Sequence, residues 1–307
     1  MLVNSSQVSY FTLAAYCDLG LVKYVIFVFV LCLYVSIIVS NLLLIVVICM
    51  NRSLHEPMYL FLCSLFMNEL WGSTGLFPLL LLHILADVHN VSSAFCFLQN
   101  FCLYSYGGAE YLILAVMSYD RYLAICRPLQ YHTQMTINRI FTLIGVTWFC
   151  PLLLCLVMTS LSNSLTLCGN IIKKVYCDNY SIVKLSCEDT TSNNIYGLFV
   201  TCCSIFCPLV LIFFSYVKIL KICFSGCKQS RQKALNTCSP HLASLINFSC
   251  GACFEIMQSR FDMKNLSNMM RIFLSLYWLT CQPLLNPLLY GLNLSKIRNL
   301  CKSLVSA

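Results

Sequence analysis

Long apolar runs separated by short polar connections set the pattern of this chain. Seven of them hold at most one charged residue over the roughly 20 residues that a helix rising 1.5 Å per residue needs to cross about 30 Å of hydrocarbon. They run over 24–50, 58–82, 95–119, 140–161, 190–217, 234–259 and 272–294. Runs one, four, five and seven carry no charge, and the others carry one acid each: Glu69, Glu110 and Glu255. None alternates with the two-residue period of a membrane β-barrel strand. The pattern predicts an all-α membrane protein, a seven-transmembrane helix bundle over 24–294. Residues 1–23 read as a free tail at one end, and 295–307 as a short tail with an amphipathic helix at the other.

Composition sharpens this by exclusion. Of 307 residues, 59% are hydrophobic and 10% charged, against about 45–50% and roughly 25% in soluble domains. So much apolar surface has to face lipid. That sets aside soluble enzymes and, despite a net charge of +8, nucleic-acid binders. The charge is asymmetric instead. Arg52, Arg121, Arg127, Arg139, Lys218, Lys221, Lys228, Arg231, Lys233, Lys296, Arg298 and Lys302 lie after runs one, three and five or in the C-terminal tail, opposed there only by Glu56 and Asp120. The positive-inside rule puts that side in the cytosol and the N-terminus outside. Residues 1–23 lack the basic start and apolar core of a signal peptide, so the first run reads as the targeting segment. Sequons at Asn4, Asn90, Asn179 and Asn265 fall on the outer side as glycosylation candidates, Asn4 first among them. The same pattern at Asn51, Asn247 and Asn293 falls in cytosolic or intramembrane positions.

Of 22 cysteines, most read as small apolar helix residues. Cys96, Cys168, Cys177 and Cys187 lie in outer connections or at their edge, where an oxidising environment favours disulfides. A loop of nearly thirty residues also gains from constraint. Four cysteines permit three pairings, and spacing does not choose among them.

Met117-Ser118-Tyr119-Asp120-Arg121-Tyr122-Leu123-Ala124-Ile125-Cys126 closes the third run, and Pro57-Met58-Tyr59-Leu60-Phe61-Leu62 opens the second. Ser215-Tyr216 closes the fifth, Lys233-Ala234-Leu235-Asn236-Thr237-Cys238-Ser239-Pro240-His241-Leu242 opens the sixth, and Pro283-Leu284-Leu285-Asn286-Pro287-Leu288-Leu289-Tyr290 closes the seventh. These five motifs, in this order over nearly the whole chain, resemble the odorant receptors among rhodopsin-like G-protein-coupled receptors. Asn68-Glu69-Leu70, Asn247 and Glu255 are similar to fish-type members, which implies water-soluble odorants. The disulfides expected are Cys96–Cys177 and Cys168–Cys187.

The resemblance gives Asp120, Arg121, Tyr122, Tyr216, His241, Asn286, Pro287 and Tyr290 roles in G-protein coupling and switching. Physically, Asp120 holds the Arg121 guanidinium until a partner offers its own oxygens. Pro287 removes a helix hydrogen bond and creates a kink about which Tyr290 swings; Pro208 and Pro240 are expected to bend their helices too. Isolated membrane carboxylates are costly and face the interior. Glu110 lies about 16 Å deeper than Arg121 on nearly the same face, and the resemblance sets Glu69 opposite it, near Asn41 and Asn286. Glu69 stands where family members usually carry aspartate. Glu69, Glu110 and Asn41 therefore form a candidate sodium or proton site that steadies the resting state, the alternative being two protonated carboxyls bonded to neighbours. Ser249 stands where the family often has tyrosine, with Phe248 as a substitute sensor. His241, Phe248 and Glu255 share one helical face.

The resemblance also places a ligand pocket between runs three, five, six and seven, lined by Leu103, Tyr104, Gly107, Gly108, Val200, Thr201, Ser204, Cys250, Gly251, Phe254, Glu255 and Leu276. Gly107 and Gly108 either leave ligand volume or admit a neighbouring helix. Glu255 either faces ligand or pairs with Arg260 or Lys264. The expectation is a plasma-membrane odorant receptor that binds a small organic molecule and engages a heterotrimeric G protein, implied to be the stimulatory olfactory type that raises cAMP. Its partners are odorant, G protein and lipid bilayer, without nucleic acid, and no cofactor is expected beyond the candidate sodium ion. The nearer rival is a rhodopsin-like receptor for a lipid or other small ligand. The farther one is a transporter or channel, motivated by three membrane glutamates but lacking an internal repeat. Enzymes are disfavoured, since His55, His83, His89, His132 and His241 are scattered and form no catalytic or metal-spaced pattern.

Overall fold

The structure, a computed structural model, describes residues 8–16, 20–225, 228–260, 268–294 and 296–300. Seven long helices follow one another: α1 Val22–Met50, α2 Pro57–Leu85, α3 Ser93–Cys126, α4 Ile137–Asn163, α5 from Thr191–Thr201 through a π segment Cys202–Phe206 to Cys207–Ser225, α6 Lys228–Arg260, and α7 Asn268–Asn293. Each contains one expected run, less its first residue in the fifth and its last in the seventh, and most extend past it, because a helix does not stop where hydrocarbon does. Among the described residues, five helices are long and apolar enough to span a membrane by length and composition alone. The other two, α3 and α6, carry more polar residues; α3 buries Gln99, Asn100, Glu110 and Asp120 at the centre of the bundle, against α2, α4, α5 and α6.

Local chemistry explains the ends and bends. Pro57 occupies the first turn of α2, where its missing N–H is no loss, and Ser92 Oγ accepts the Phe95 N–H at the start of α3 (3.4 Å). Pro208 has no N–H for the Ser204 carbonyl, and the π segment just before it re-spaces the turn. Pro287 likewise frees the Pro283 carbonyl, which Asn41 Nδ2 of α1 caps at 2.9 Å. Large apolar side chains such as Phe29, Phe141, Phe149 and Phe213 point outward, while Asn41, Asn68, Glu69, Glu110, Gln282 and Asn286 are buried. That inversion suits a lipid solvent, in which backbone and polar groups must be satisfied internally.

One end carries a small sheet that the sequence reading did not anticipate. Part of the supposedly free N-terminal tail forms β1 (Tyr10–Leu13), antiparallel to β2 (Asn90–Ser92) and parallel to β3 (Ile171–Ile172). Phe11 and Leu13 face in while Tyr10 is exposed, the alternation of a half-buried strand. They pack with Val91, Ile172 and the Cys96–Cys177 disulfide. At the opposite end residues 296–300 are helical, with Ile297 buried and Lys296 donating to Glu56 (2.7 Å).

Candidate functional site

At the sheet end, α3, α5, α6 and α7 enclose a cavity of about 160 Å³ beneath the connection between α4 and α5. Leu103, Tyr104, Gly107, Gly108, Val200, Thr201, Ser204 and Glu255 line it. Cys250, Gly251, Phe254 and Leu276 do not. The helical period places Phe248, Ala252, Glu255 and Ser259 on the cavity stripe of α6, which turns the intervening residues aside. Cys250 is exposed, and Gly251 lies where α6 meets Trp278 of α7. Sequence reasoning missed Tyr111, Tyr176, Asp178 and Trp278. Phe248 is fully buried against Tyr111, Tyr106 and Trp278, with ring centroids 5.0, 5.9 and 6.0 Å away. Ser249 accepts a hydrogen bond from the Tyr111 hydroxyl (3.4 Å). A Cβ at Gly108 would meet Pro151 of α4 at 3.0 Å, whereas one at Gly107 meets only the Trp278 ring, at 3.4 Å. Close helix approach thus accounts for Gly108, and Gly107 leaves volume.

The covering connection is pinned at several points. Disulfides join Cys96 to Cys177 and Cys168 to Cys187, with Cα atoms 5.4 and 5.3 Å apart. Gln99 Oε1 accepts the Cys177 N–H (2.9 Å). Glu255 does not pair with Arg260, and Lys264 lies outside the described residues. It pairs instead with Lys174 of the connection, which also binds Asp178 (3.4 Å) and Ser259 Oγ (3.0 Å). Arg260 stacks over the Tyr180 ring at 4.5 Å. Burial pulls the Lys174 ammonium toward neutrality, but Asp178 and Glu255 outweigh it and hold its pKa above the ordinary lysine value. Among the sequons, Asn90 is exposed, and Asn4 and Asn265 lie outside the described residues. Asn179 is buried, its Oδ1 accepting from Ser162 (2.7 Å) and Asn100 (3.4 Å), which leaves no room for a glycan.

Deeper in the bundle the two acids meet. Asn286 Nδ2 donates to both Glu69 and Glu110, the latter at 3.2 Å. Tyr106 donates to Glu69 (3.0 Å), and Asn68 and Gln282 donate to Glu110 (3.0 and 3.3 Å). The amide oxygens of Asn41, Asn68 and Asn286 are buried without partners. Asn41 donates to the Ile37 and Pro283 carbonyls (both 2.9 Å) and so serves the α7 kink rather than the acids.

At the end away from the sheet, Arg121 forms an ion pair with fully buried Asp120, which also accepts from Tyr131 (2.7 Å). Burial first, and Asp120 second, push the Tyr131 phenol above its usual range. Tyr290 meets His241 Nδ1 at 3.3 Å, Tyr216 is buried close by in the same core, and Tyr122 lies under Arg127 (5.9 Å).

The family model for olfactory receptors matches residues 29–307. Olfactory receptor 10C1 of Homo sapiens is 32% identical over 300 residues, covering 97% of this chain and 95% of that protein. Olfactory receptor 6E1 of Mus musculus is 32% identical over 307 residues, covering 99% and 97%. Squid rhodopsin, 18% identical, superimposes with a TM-score of 0.75 over 94% of this chain and 87% of its own, which establishes the seven-helix fold. On a family match from the first helix to the C-terminus and a third of all residues shared with full-length relatives, the chain belongs to the olfactory receptor family.

Proposed function

We propose that this plasma-membrane receptor binds a small organic odorant in the cavity under the α4–α5 connection and answers by opening its Asp120–Arg121 end to a heterotrimeric G protein. The carrying observation is a partly open cavity lined mainly by apolar and aromatic side chains with a few polar groups, the form small-ligand sites take. An engineered cavity of roughly 150 Å³ takes benzene, so about 160 Å³ suits one ring or a short chain. Thr201, Ser204 and the Glu255–Asp178 rim orient a polar group on it.

The sheet, the disulfides and the N-terminal tail face outward in this reading, and the basic connections face the cytosol. Asp120 and Tyr131 hold Arg121 at rest. Ligand pressing on Tyr111, Phe248 and Trp278 shifts α6 against α3, and the Tyr290–His241 contact and the Asn41-capped kink of α7 move with it. Coupling is to the stimulatory olfactory-type G protein. Glu69 and Glu110, with the free amide oxygens of Asn68, Asn286 and Asn41 around them, form a hard-oxygen set that fits a sodium ion or a proton holding the resting state. Exchange of sodium for potassium changes basal signalling in the wild type and less so in Glu69→Gln; equal insensitivity in both removes the ion from the reading.

The deciding experiment is a cAMP reporter assay with water-soluble odorant mixtures, comparing wild type with Arg121→Ala at matched surface expression. The response is lost in the variant. An equal response in both would take coupling away from Arg121.

A further inference from the structure

A second cavity, of about 250 Å³, opens beside the sheet between the α4–α5 connection and the first turns of α7. Lys174 lines it while its partner Glu255 lines the ligand cavity, so their ion pair stands between the two. Among the described residues, the charged lining of the second cavity is basic: Lys173, Lys174 and Arg271. Lys174 is neutralised by Asp178 and Glu255. Lys173 is exposed, and among the described residues no carboxylate pairs with it or with Arg271. Arg271 is half-buried, and its Nε is fully buried with no hydrogen-bond partner. A guanidinium N–H shut away from water without an acceptor is an unusual thing to keep, since buried donors are normally satisfied.

We propose that this cavity is a binding site for a small organic carboxylate arriving from outside, separate from the odorant cavity. The Arg271 fork takes the carboxylate in two parallel hydrogen bonds, and Lys173 supplies a second positive charge. Ser275 donates its hydrogen to Gln258 Oε1 (3.1 Å), which leaves the Gln258 amide nitrogen as a further donor. Val175 and Ile272 form an apolar wall that holds a short hydrocarbon body. A bare inorganic ion would leave that wall and most of the volume unused. A zwitterionic amino acid would find no acid among the described lining residues to receive its ammonium group.

The test uses full-length receptor purified into phospholipid nanodiscs, titrated calorimetrically with hexanoate and with neutral hexanamide as the matched control. Hexanoate binds, more weakly as salt rises, and at least tenfold more weakly to Arg271→Gln, with Arg271→Lys between. Hexanamide binds none of the three measurably. Melting temperatures report whether each variant is folded, and Lys173→Gln, at an exposed position, serves as an independent variant with an expected threefold loss. No hexanoate binding, equal binding by wild type and both glutamine variants, or hexanamide binding as well as hexanoate would each overturn the proposal.

Discussion

Replacing Gly251 by alanine tests whether α6 and α7 are held together by the absence of a side chain. A Cβ there would lie 2.5 Å from Trp278 Cβ and 3.0 Å from Trp278 Cα. Carbon atoms rest at about 3.5–4.0 Å, so the shortfall approaches 1 Å, and against a backbone atom no rotamer change relieves it. The helices must part, which unpacks Trp278 from Tyr106 and Phe248, now 6.2 and 6.0 Å away between ring centroids. Overpacking of this kind costs roughly 1–3 kcal/mol, a factor of about 5–150 in the folded population. The control is Gly107→Ala, whose methyl meets the Trp278 ring at 3.4 Å and mainly removes cavity volume. Thermal unfolding of purified receptor measures both. Gly251→Ala melts several degrees below wild type, about 3–10 °C for that range. Gly107→Ala melts with wild type and loses responsiveness to its larger agonists. The reasoning fails if Gly251→Ala is as stable as wild type, or if Gly107→Ala is the more damaged of the two.

Removing Cys96–Cys177 destabilises more than removing Cys168–Cys187, because the closed loops span 81 and 19 residues; the chain-entropy relation gives about 4.5 against about 3.2 kcal/mol, readable as surface expression of the paired serine variants. Lys174→Met leaves Asp178 and Glu255 buried and unpaired, with side chains only 3% and 12% exposed, and lowers the melting temperature by an amount equivalent to about 3–5 kcal/mol. Glu255→Gln costs less, since Asp178 still holds the lysine. Because the Lys174 pKa is raised on folding, its contribution is fully present below the ordinary lysine value of 10.5 and fades only as pH climbs through the raised value. Melting scans from pH 7 to 11 check this, and a loss beginning near neutrality would contradict it.

The seven helices were legible because crossing lipid is a local demand: each run must be long and apolar wherever it sits in the fold. The Asp120–Arg121 pair was legible for a related reason, the two residues being adjacent in sequence. Contacts made across the chain were not. Lys174 lies 81 residues from Glu255, and three other basic residues stood nearer in sequence to the same end of α6. β1 was missed because four residues of alternation are too few to tell a strand from a tail. Of the α6 residues that the resemblance gave to the pocket, Glu255 lines the cavity and Cys250, Gly251 and Phe254 do not, because a residue's height along a helix does not fix its angle about the axis. That angle is set by Gly251 against Trp278, a contact between two helices that neither helix's pattern contains.

The sheet at the outer end also imposes a timetable. Thr12 and Leu13 pair with Ile171 and Ile172, so about 160 residues must be synthesised before β1 finds its parallel neighbour. At about 5–20 residues per second that is a wait of roughly 8–30 s, during which four helices enter the membrane while β1 has only its antiparallel partner β2. β1 is thus completed in two stages, first against β2 and only after four helices against β3. A bulky tag joined close to residue 8, or an early chaperone contact on that segment, would act on this sheet-completing step of biogenesis rather than on ligand recognition.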